Sequence, residues 1–408
     1  MNCRHCDKEL VNTFIDLGSS PPSNAYLKRE AINFTEKYYP LKVLVCHDCW
    51  LVQTEDFVGA SEMFSEDYAY YSSYSSTWLD HAKKYVNLVI SKFNLDSSSN
   101  VIEVAANDGY LLQYFKSKNI SCFGIEPTSG PASVAREKGI EVIEDFFGAS
   151  LANLLTSEGR SADLILANNV LAHVPDINDF VKGFSILLKP QGVATFEFPH
   201  LLNLIKFNQF DTIYHEHYSY FSFIAVQSIF NFNGLSIFEV QELTTHGGSL
   251  RIFVQHIETG KQHISPSVSN LINKETHIGV NTLNYYKDFQ FKVEKVKSDF
   301  LNFLNQAKKN GKKIVGYGAA AKGNTLMNFA DIHNDLIDFI VDKNPVKQGK
   351  YMPGSRIPIM AEKLIKEVRP DYVVILPWNL KKEVIQQLNY IRQWGGQFVI
   401  PIPELEIL

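Results

Sequence analysis

Val101-Ile102-Glu103-Val104-Ala105-Ala106-Asn107-Asp108-Gly109 sets the architecture of this chain. Its first five residues form a short apolar run suited to a buried strand, and Asn-Asp-Gly marks a tight turn at the carboxyl end of that strand. Working outward, the pattern predicts a helix over 110–118, a strand over 121–126 and a helix over 131–138. Further strands over 163–167 and 192–198 flank a helix over 179–188. Apolar strands joined by helices at this spacing predict a parallel, doubly wound α/β sheet of the Rossmann-like kind. The alternating stretches 236–240 and 249–254 read as antiparallel additions to it. A long helical stretch over 280–309 leads to a second Rossmann-like α/β unit, with strands at 313–318, 337–341, 372–376 and 398–400 and helices over 320–330 and 380–394. The 201–258 segment is of mixed pattern. The first module shows little periodicity before a helix near 78–93, so its order must come from something other than a large core.

At 408 residues the chain exceeds what one hydrophobic core supports, and three modules are expected: 1–77, 78–275 and 276–408. Hydrophobic residues at 45% and charged residues at 20% describe a soluble globular protein. No apolar run of about 18 residues predicts a membrane span. The opening Met-Asn-Cys-Arg-His-Cys lacks the basic and long apolar stretches of a secretory signal, so a cytoplasmic location is expected. A net charge of −5 leaves no chain-wide basic field for nucleic acid. The expected assembly is a monomer or a weak dimer. Tyr and Phe crowd at 64–78 and 214–232, a density that fills cores and also suits a pocket packing sugar or base faces.

Cys3-Arg-His-Cys6 and Cys46-His-Asp-Cys49 are two CxxC knuckles, a spacing that fits one zinc held by four thiolates. A closed tetrahedron leaves no position for substrate, so the zinc would be structural. Disulfides or free thiols are the alternative, and disulfides rarely persist in a reducing compartment. His5 and His47 lie inside the knuckles as substitute ligands, with thiolate the better ligand. Cys122, on a predicted strand, reads as a small buried residue.

At the first glycine turn, ligands of a doubly wound sheet bind beside the strand's carboxyl end. Glu126, followed by Pro127, ends the second strand, where an acid can hydrogen-bond the hydroxyls of an adenosine ribose. NAD would want a GxGxxG phosphate cradle, and here stand Ala105, Asn107 and Gly109 with an acidic Asp108 in the turn. Negative side chains at Glu103 and Asp108 repel a pyrophosphate and suit a ligand bearing an ammonium and a sulfonium, which points to S-adenosylmethionine. Another nucleotide or a purely structural turn are the alternatives. Asn168 and Asn169 end a later strand at the same edge, as ligand contacts or as helix caps.

Tyr214-His215-Glu216-His217-Tyr218-Ser219-Tyr220 is the densest titratable group in the chain. His and Tyr together can remove a proton beside a carbonyl and hold the enolate oxygen. A second metal site is the rival reading, since His215 and His217 share a face in an extended segment, and histidines without chemistry are the third. Gly316-Tyr317-Gly318-Ala319-Ala320-Ala321-Lys322-Gly323-Asn324 is a second glycine turn satisfying GxGxxA, with Asp342 ending the next strand. Taken alone it reads as a dinucleotide site. An NAD-dependent nucleotide-sugar oxidoreductase or epimerase, and a zinc-bearing binding protein without catalysis, are therefore the competing functions.

Five ordered motifs resemble the S-adenosylmethionine-dependent sugar C-methyltransferase family that makes branched deoxysugars from nucleotide-linked 4-keto sugars. They are the CxxC pair, Tyr68-Ala-Tyr-Tyr-Ser-Ser-Tyr74 with Ser75-Ser76-Thr77-Trp78, Glu103 to Gly109, Tyr214 to His217, and Gly316 to Asn324, and they span essentially the whole length. The resemblance implies that 78–275 is the methyltransferase domain and 276–408 the holder of the nucleotide sugar. Tyr317, Gly318, Ala319, Lys322 and Asn324 would contact that sugar, with backbone amides and Lys322 near its phosphates. It implies that a histidine takes the C3 proton beside the 4-keto group and that the enolate attacks the sulfonium methyl. His217 matches the base, Tyr68, Tyr214 and His173 the oxyanion-stabilising groups, and Glu216 a further pocket residue. Neighbouring strand residues face opposite ways, so Glu216 and His217 share a pocket only if the backbone bends at 214–217.

Overall fold

A computed structural model describes residues 1–57, 59 and 71–408. Strands β1 (Asn12–Ser20), β2 (Tyr39–Val45) and β3 (Val52–Thr54) form an antiparallel sheet in the first module. The central sheet takes β4 (Asn100–Val104), β5 (Ser121–Ile125), β6 (Glu141–Ile143), β7 (Ala162–Asn168) and β8 (Leu188–Pro199). The two-residue β9 (Ser219–Tyr220) leaves this region to pair with β3 and completes the first sheet as β1-β2-β3-β9. Strands β10 (Leu235–Leu243) and β11 (Ser249–His256) return to the central sheet, giving the order β10-β11-β8-β7-β4-β5-β6. As the alternation predicted, β11 runs antiparallel to both β8 and β10. The parallel strands β4 and β7 are neighbours although β5 and β6 lie between them in sequence, so the chain reverses direction across the sheet there and opens a crevice at their carboxyl ends.

The C-terminal sheet repeats the plan with β12 (Ile314–Tyr317), β13 (Ile340–Asp342), β14 (Ile359–Ala361), β15 (Tyr372–Ile375), β16 (Gln397–Ile400) and β17 (Glu406–Ile407). Its order is β14-β13-β12-β15-β16-β17, parallel except for β17, with the crevice between β12 and β15.

Several elements depart from the pattern reading. The helix expected over 280–309 begins at Phe289, after a short 3-10 turn at Leu283–Tyr285. The one expected over 380–394 is a helix at Lys381–Gln387 followed by a 3-10 stretch at Asn389–Trp394. The mixed segment contains two further helices, Leu201–Lys206 and Phe223–Phe232.

The first module's order is also different from expectation. Phe14, Ile15, Leu17, Leu41, Val43 and Val45 share one core with Phe289, Val293 and Phe300 of the long helix and with the C-terminal sheet. Cys3, Leu10, Leu44, Cys46, Cys49 and Leu51 pack instead into the core of the central domain. The module is wedged between two large cores. Among the described residues, no helix is long and apolar enough to cross a membrane.

Candidate active site

A cavity of about 590 Å³ lies between the carboxyl ends of the central and C-terminal sheets. Its first end is the central crevice. Ala105, Asn107, Glu126, Pro127, Asn168 and Asn169 all line it. Ala105 and Asn107 have φ of +57° and +48°, so the turn after β4 coils tightly enough to bring its backbone to the cavity. The Glu126 carboxylate accepts the Asn107 and Thr128 backbone N–H groups, each at 2.9 Å, and burial raises its pKa. Among the described residues, the buried Oδ1 atoms of Asn168 and Asn169 have no hydrogen-bond partner. Buried orphan acceptors on a cavity wall suit a ligand that brings donors, and Ile125, Phe147 and Val170 supply an apolar face beside them. This end fits S-adenosylmethionine.

Three expected donor contacts lie off the wall. Glu103 is buried within β4, and burial holds its carboxyl well above the usual range, partly offset by the Tyr110 hydroxyl. Asp108 turns away, accepting the Ser73 N–H at 3.1 Å and lying 3.9 Å from the Lys138 ammonium. Gly109 serves packing: its φ is +72°, and a Cβ there would stand 2.5 Å from Ile140 Cδ1. The negative charge invoked for the sulfonium therefore acts at most from behind the wall, while Glu126 stands on it.

The middle of the cavity is built by Tyr214–His217. The His217 N–H donates to the Tyr214 carbonyl at 2.9 Å, closing the expected bend and letting both Glu216 and His217 face the cavity. His215 does not join them. Its Nε2 lies 3.2 Å from the Tyr39 and Pro40 carbonyls on the first sheet, so the two histidines do not form the paired metal face considered above. His217 Nδ1 is 2.8 Å from the Thr212 carbonyl and must donate to it, which leaves Nε2 as the acceptor. The Tyr214 hydroxyl donates to that Nε2 at 2.8 Å. Burial, then the neighbouring His173, holds His217 well below the usual histidine range, so the ring is neutral. His173 packs edge-on against it at 4.6 Å and donates Nδ1–H to the Glu216 carbonyl at 2.8 Å; burial lowers its pKa to about 4. Glu216 accepts both Oε contacts from Asn24 Nδ2 at 2.8 Å, and burial raises its carboxyl to about 7. Tyr68 lies outside the described residues.

Of the second glycine turn, only part reaches this cavity. Lys322 lines it together with Ala320 and Ala321, whereas Tyr317, Gly318, Ala319 and Asn324 do not. The Tyr317 hydroxyl accepts from Gln387, Gly318 packs on Pro377, and Asn324 is fully buried. The turn's amides are also occupied: the Gly318 N–H donates to Val341 O, the Ala319 N–H to Asp342 Oδ2 and the Ala320 N–H to Gly318 O, each at 2.8 Å. These three strand-end amides are therefore spent within the protein, and the amides left facing the cavity are those that open the helix Ala321–Phe329.

Residues not singled out from sequence complete the wall. Asn24 comes from the first module and Lys347 from the loop after β13, and they share it with Trp78 of the motif at 75–78, on the helix Ser76–Phe93. His246, at φ +51°, meets the Trp78 ring edge-on at 5.0 Å, and burial lowers its pKa to about 4. The Gly247-Gly248 pair signals a sharp turn at His246, but a lone Asn24 in a loop carries no sequence signal at all.

Outside the cavity lining, the four cysteine sulfurs lie within 4.8 Å of one another, with Cys3–Cys49 and Cys6–Cys46 each 3.5 Å apart. Tetrahedral Zn–S bonds of about 2.3 Å set sulfurs roughly 3.8 Å apart, so the set fits zinc. His5 is not a ligand: its ring nitrogens contact Asn178 Oδ1 at 3.0 Å and Ser228 Oγ at 3.1 Å.

Residues 3–64 match the family described as "Putative zinc binding domain", 79–240 "Methyltransferase domain" and 244–403 "C-methyltransferase C-terminal domain". The chain is 32% identical to C-methyltransferase NovU from Streptomyces niveus over 406 residues, 100% of this chain and 96% of that protein. A ubiquinone biosynthesis O-methyltransferase from Actinobacillus pleuropneumoniae serotype 5b is 30% identical over 106 residues, 24% of this chain and 44% of its own. Magnesium protoporphyrin IX methyltransferase from Synechocystis PCC 6803, solved with bound SAM, aligns at a TM-score of 0.34 and 15% identity, over 43% of this chain and 78% of its own.

Proposed function

Since the chain belongs to the NovU-like sugar C-methyltransferase family and is an S-adenosylmethionine-dependent C-methyltransferase, we propose that it methylates C3 of a nucleotide-linked 4-keto-deoxysugar through a base-generated enolate. The observation carrying this reading is the His217 ring, neutral, with Nδ1–H spent on the Thr212 carbonyl and Nε2 turned to the Tyr214 hydroxyl on a cavity wall. A histidine in that tautomer can accept a proton at Nε2 and do nothing else there. Bound S-adenosylmethionine supplies an electrophilic methyl group on a positively charged sulfur.

His217 takes the C3 proton, made acidic by the adjacent carbonyl. Thr212 keeps the imidazole in place throughout, because its carbonyl accepts more strongly as the ring becomes cationic. Tyr214 yields its position at Nε2 to the substrate and can turn its hydroxyl toward the developing enolate. Glu126, Asn168 and Asn169 hold the methyl donor at the other end of the cavity. The nucleotide end of the substrate is assigned to the 276–408 side, whose Lys347 and Asn379 also line the cavity.

The test is His217→Asn. Solvent exchange of the C3 proton should be abolished, while the S-adenosylmethionine dissociation constant stays within about twofold of wild type, read by mass spectrometry in D2O and by calorimetry. Retained exchange would remove His217 as the base.

A further inference from the structure

Resting on the enolate reading above, we propose that Lys322 is a catalytic residue whose ammonium receives the C4 oxygen of the substrate as negative charge develops there, and is not a phosphate holder. The surroundings of Lys322 carry the argument. It stands in the first turn of the helix Ala321–Phe329, at the edge of β12, and its ammonium lies 4.4 Å over the Trp378 ring and 3.2 Å from Asn379 Oδ1. Trp378 is anchored in turn, donating Nε1–H to Asp211 Oδ2 at 2.7 Å. Asp211 immediately precedes Thr212, the residue that sets the His217 tautomer. One three-residue turn, Phe210–Thr212, thus positions both the base and the support beneath the lysine.

The opposite side closes on the same indole. A Cβ at Gly247, where φ is +88°, would stand 2.4 Å from Trp378 Cη2, so the His246 loop presses directly against the ring under Lys322. Lys322, His217, Tyr214 and His246 therefore share one stretch of wall. In keeping with this closeness, the lysine's charge helps, after burial, to depress both His217 and His246.

Among the described residues, the neutral groups offered for the oxygen hold other partners until the substrate displaces them. His173 gives its one ring hydrogen to the Glu216 carbonyl, and Tyr214 gives its hydroxyl hydrogen to His217. The other cation on the wall, Lys347, donates to the Ala319 carbonyl at 2.8 Å. Among the described residues, no carboxylate lies within ion-pair distance of the Lys322 ammonium. A cation with an aromatic face behind it, a neutral amide oxygen beside it and its nearest negative charge, Asp211, held off on the indole's Nε1 is further stabilised by an arriving anion. The phosphate alternative would have to rely on the amides that open the helix Ala321–Phe329, since those of Gly318, Ala319 and Ala320 are occupied within the protein.

In the step itself the C3–H electron pair becomes the C3=C4 double bond, the carbonyl π pair moves onto oxygen, and the proton goes to His217 Nε2. Lys322 keeps its proton and supplies charge and a hydrogen bond to that oxygen.

Lys322→Met tests this, with C3 exchange in D2O followed without methyl donor at saturating dTDP- and UDP-linked 4-keto-6-deoxyglucose, and affinity measured for free dTDP and UDP. Exchange at saturation should fall about 100- to 1000-fold, with nucleoside diphosphate affinity within about twofold. Unchanged exchange with weakened diphosphate binding, or weakening of both, would overturn the proposal. Should the Met variant not fold, Lys322→Arg reads the same pair, because it keeps the charge but moves it off its seat over the indole. A wild-type enzyme that exchanges no 4-keto sugar counts instead against the functional reading on which this one rests.

Discussion

At the scale of single residues, the site couples a neutral base to an acid that titrates near neutrality. Glu216 is 3% exposed and its carboxyl is pushed by burial up to about 7. A folded-state pKa above the ordinary carboxylate value means that the fold prefers the protonated form. The stability that comes from this preference is complete below pH about 4.5 and is lost as pH rises through 7. Glu216→Gln should therefore melt close to wild type at pH 5 and gain on it toward pH 8, by roughly 3 kcal/mol at most for a shift of this size. A gap that stays constant across that range, measured by denaturant unfolding, would show that Glu216 does not carry a buried charge. The chemistry of this residue was legible as a cluster of titratable side chains at 214–220, and so was the bend that lets adjacent side chains share a pocket. Its partner was not. Asn24 is more than 190 residues away in sequence and acquires meaning only when the first module packs against the turn. Likewise Glu103 and Asp108 were read for their charge, whereas their burial depends on the neighbours Tyr110, Ser73 and Lys138.

At the scale of elements, legibility followed how cleanly each segment keeps its period. The parallel strands of both sheets are buried on two faces and announce themselves as short apolar runs. Strand β1 does not, because its pairing with β2 slips between Thr13 and Ile15 and again between Asp16 and Ser19, which breaks the alternation. The helix Phe223–Phe232 is apolar around most of its circumference, so it shows no helical stripe. The CxxC knuckles, in contrast, were readable from spacing alone, and the fold adds what they support. Cys3, Cys46 and Cys49 are buried with Leu10, Leu44 and Leu51 against the central domain. Purified protein should hold one zinc per chain. Cys46→Ser, which removes a ligand that is 0% exposed, should lose the metal and lower the melting temperature by several degrees without weakening S-adenosylmethionine binding more than a few-fold, since none of the four cysteines lines the cavity. Metal analysis together with a thermal melt checks this, and a metal-free protein with unchanged melting would remove the structural role.

At the scale of the whole molecule, the three sequence modules do not correspond to three independent cores. Sequence periodicity reports which face of an element is buried, not which module buries it, and here the first sheet's inner face belongs to the C-terminal core. Phe14 of β1, 2% exposed, stacks on Phe289 at 4.7 Å with the rings 3° from parallel, and its edge meets Tyr286 at 5.8 Å. Glu36 of the first module pairs with Arg356 at 3.1 Å and accepts the Gly354 N–H, tying the loop after β1 to the loop before β14. The same module delivers Asn24 to Glu216. If packing is shared in this way, a cavity made at Phe14 acts on the C-terminal domain and, through Asn24, on the reaction centre. Phe14→Ala should cost about 3–5 kcal/mol, the usual range for removing a buried phenylalanine. Tryptophan fluorescence should see the loss from both sides of the contact, because Trp50 stacks on Tyr286 at 6.4 Å while Trp378 and Trp394 belong to the C-terminal domain. All these signals should shift to the same lower denaturant midpoint. A variant in which only the first module unfolds early, with Trp378 and Trp394 reporting the wild-type midpoint, would mean that the modules are stable separately and that the site is assembled by docking, not by folding.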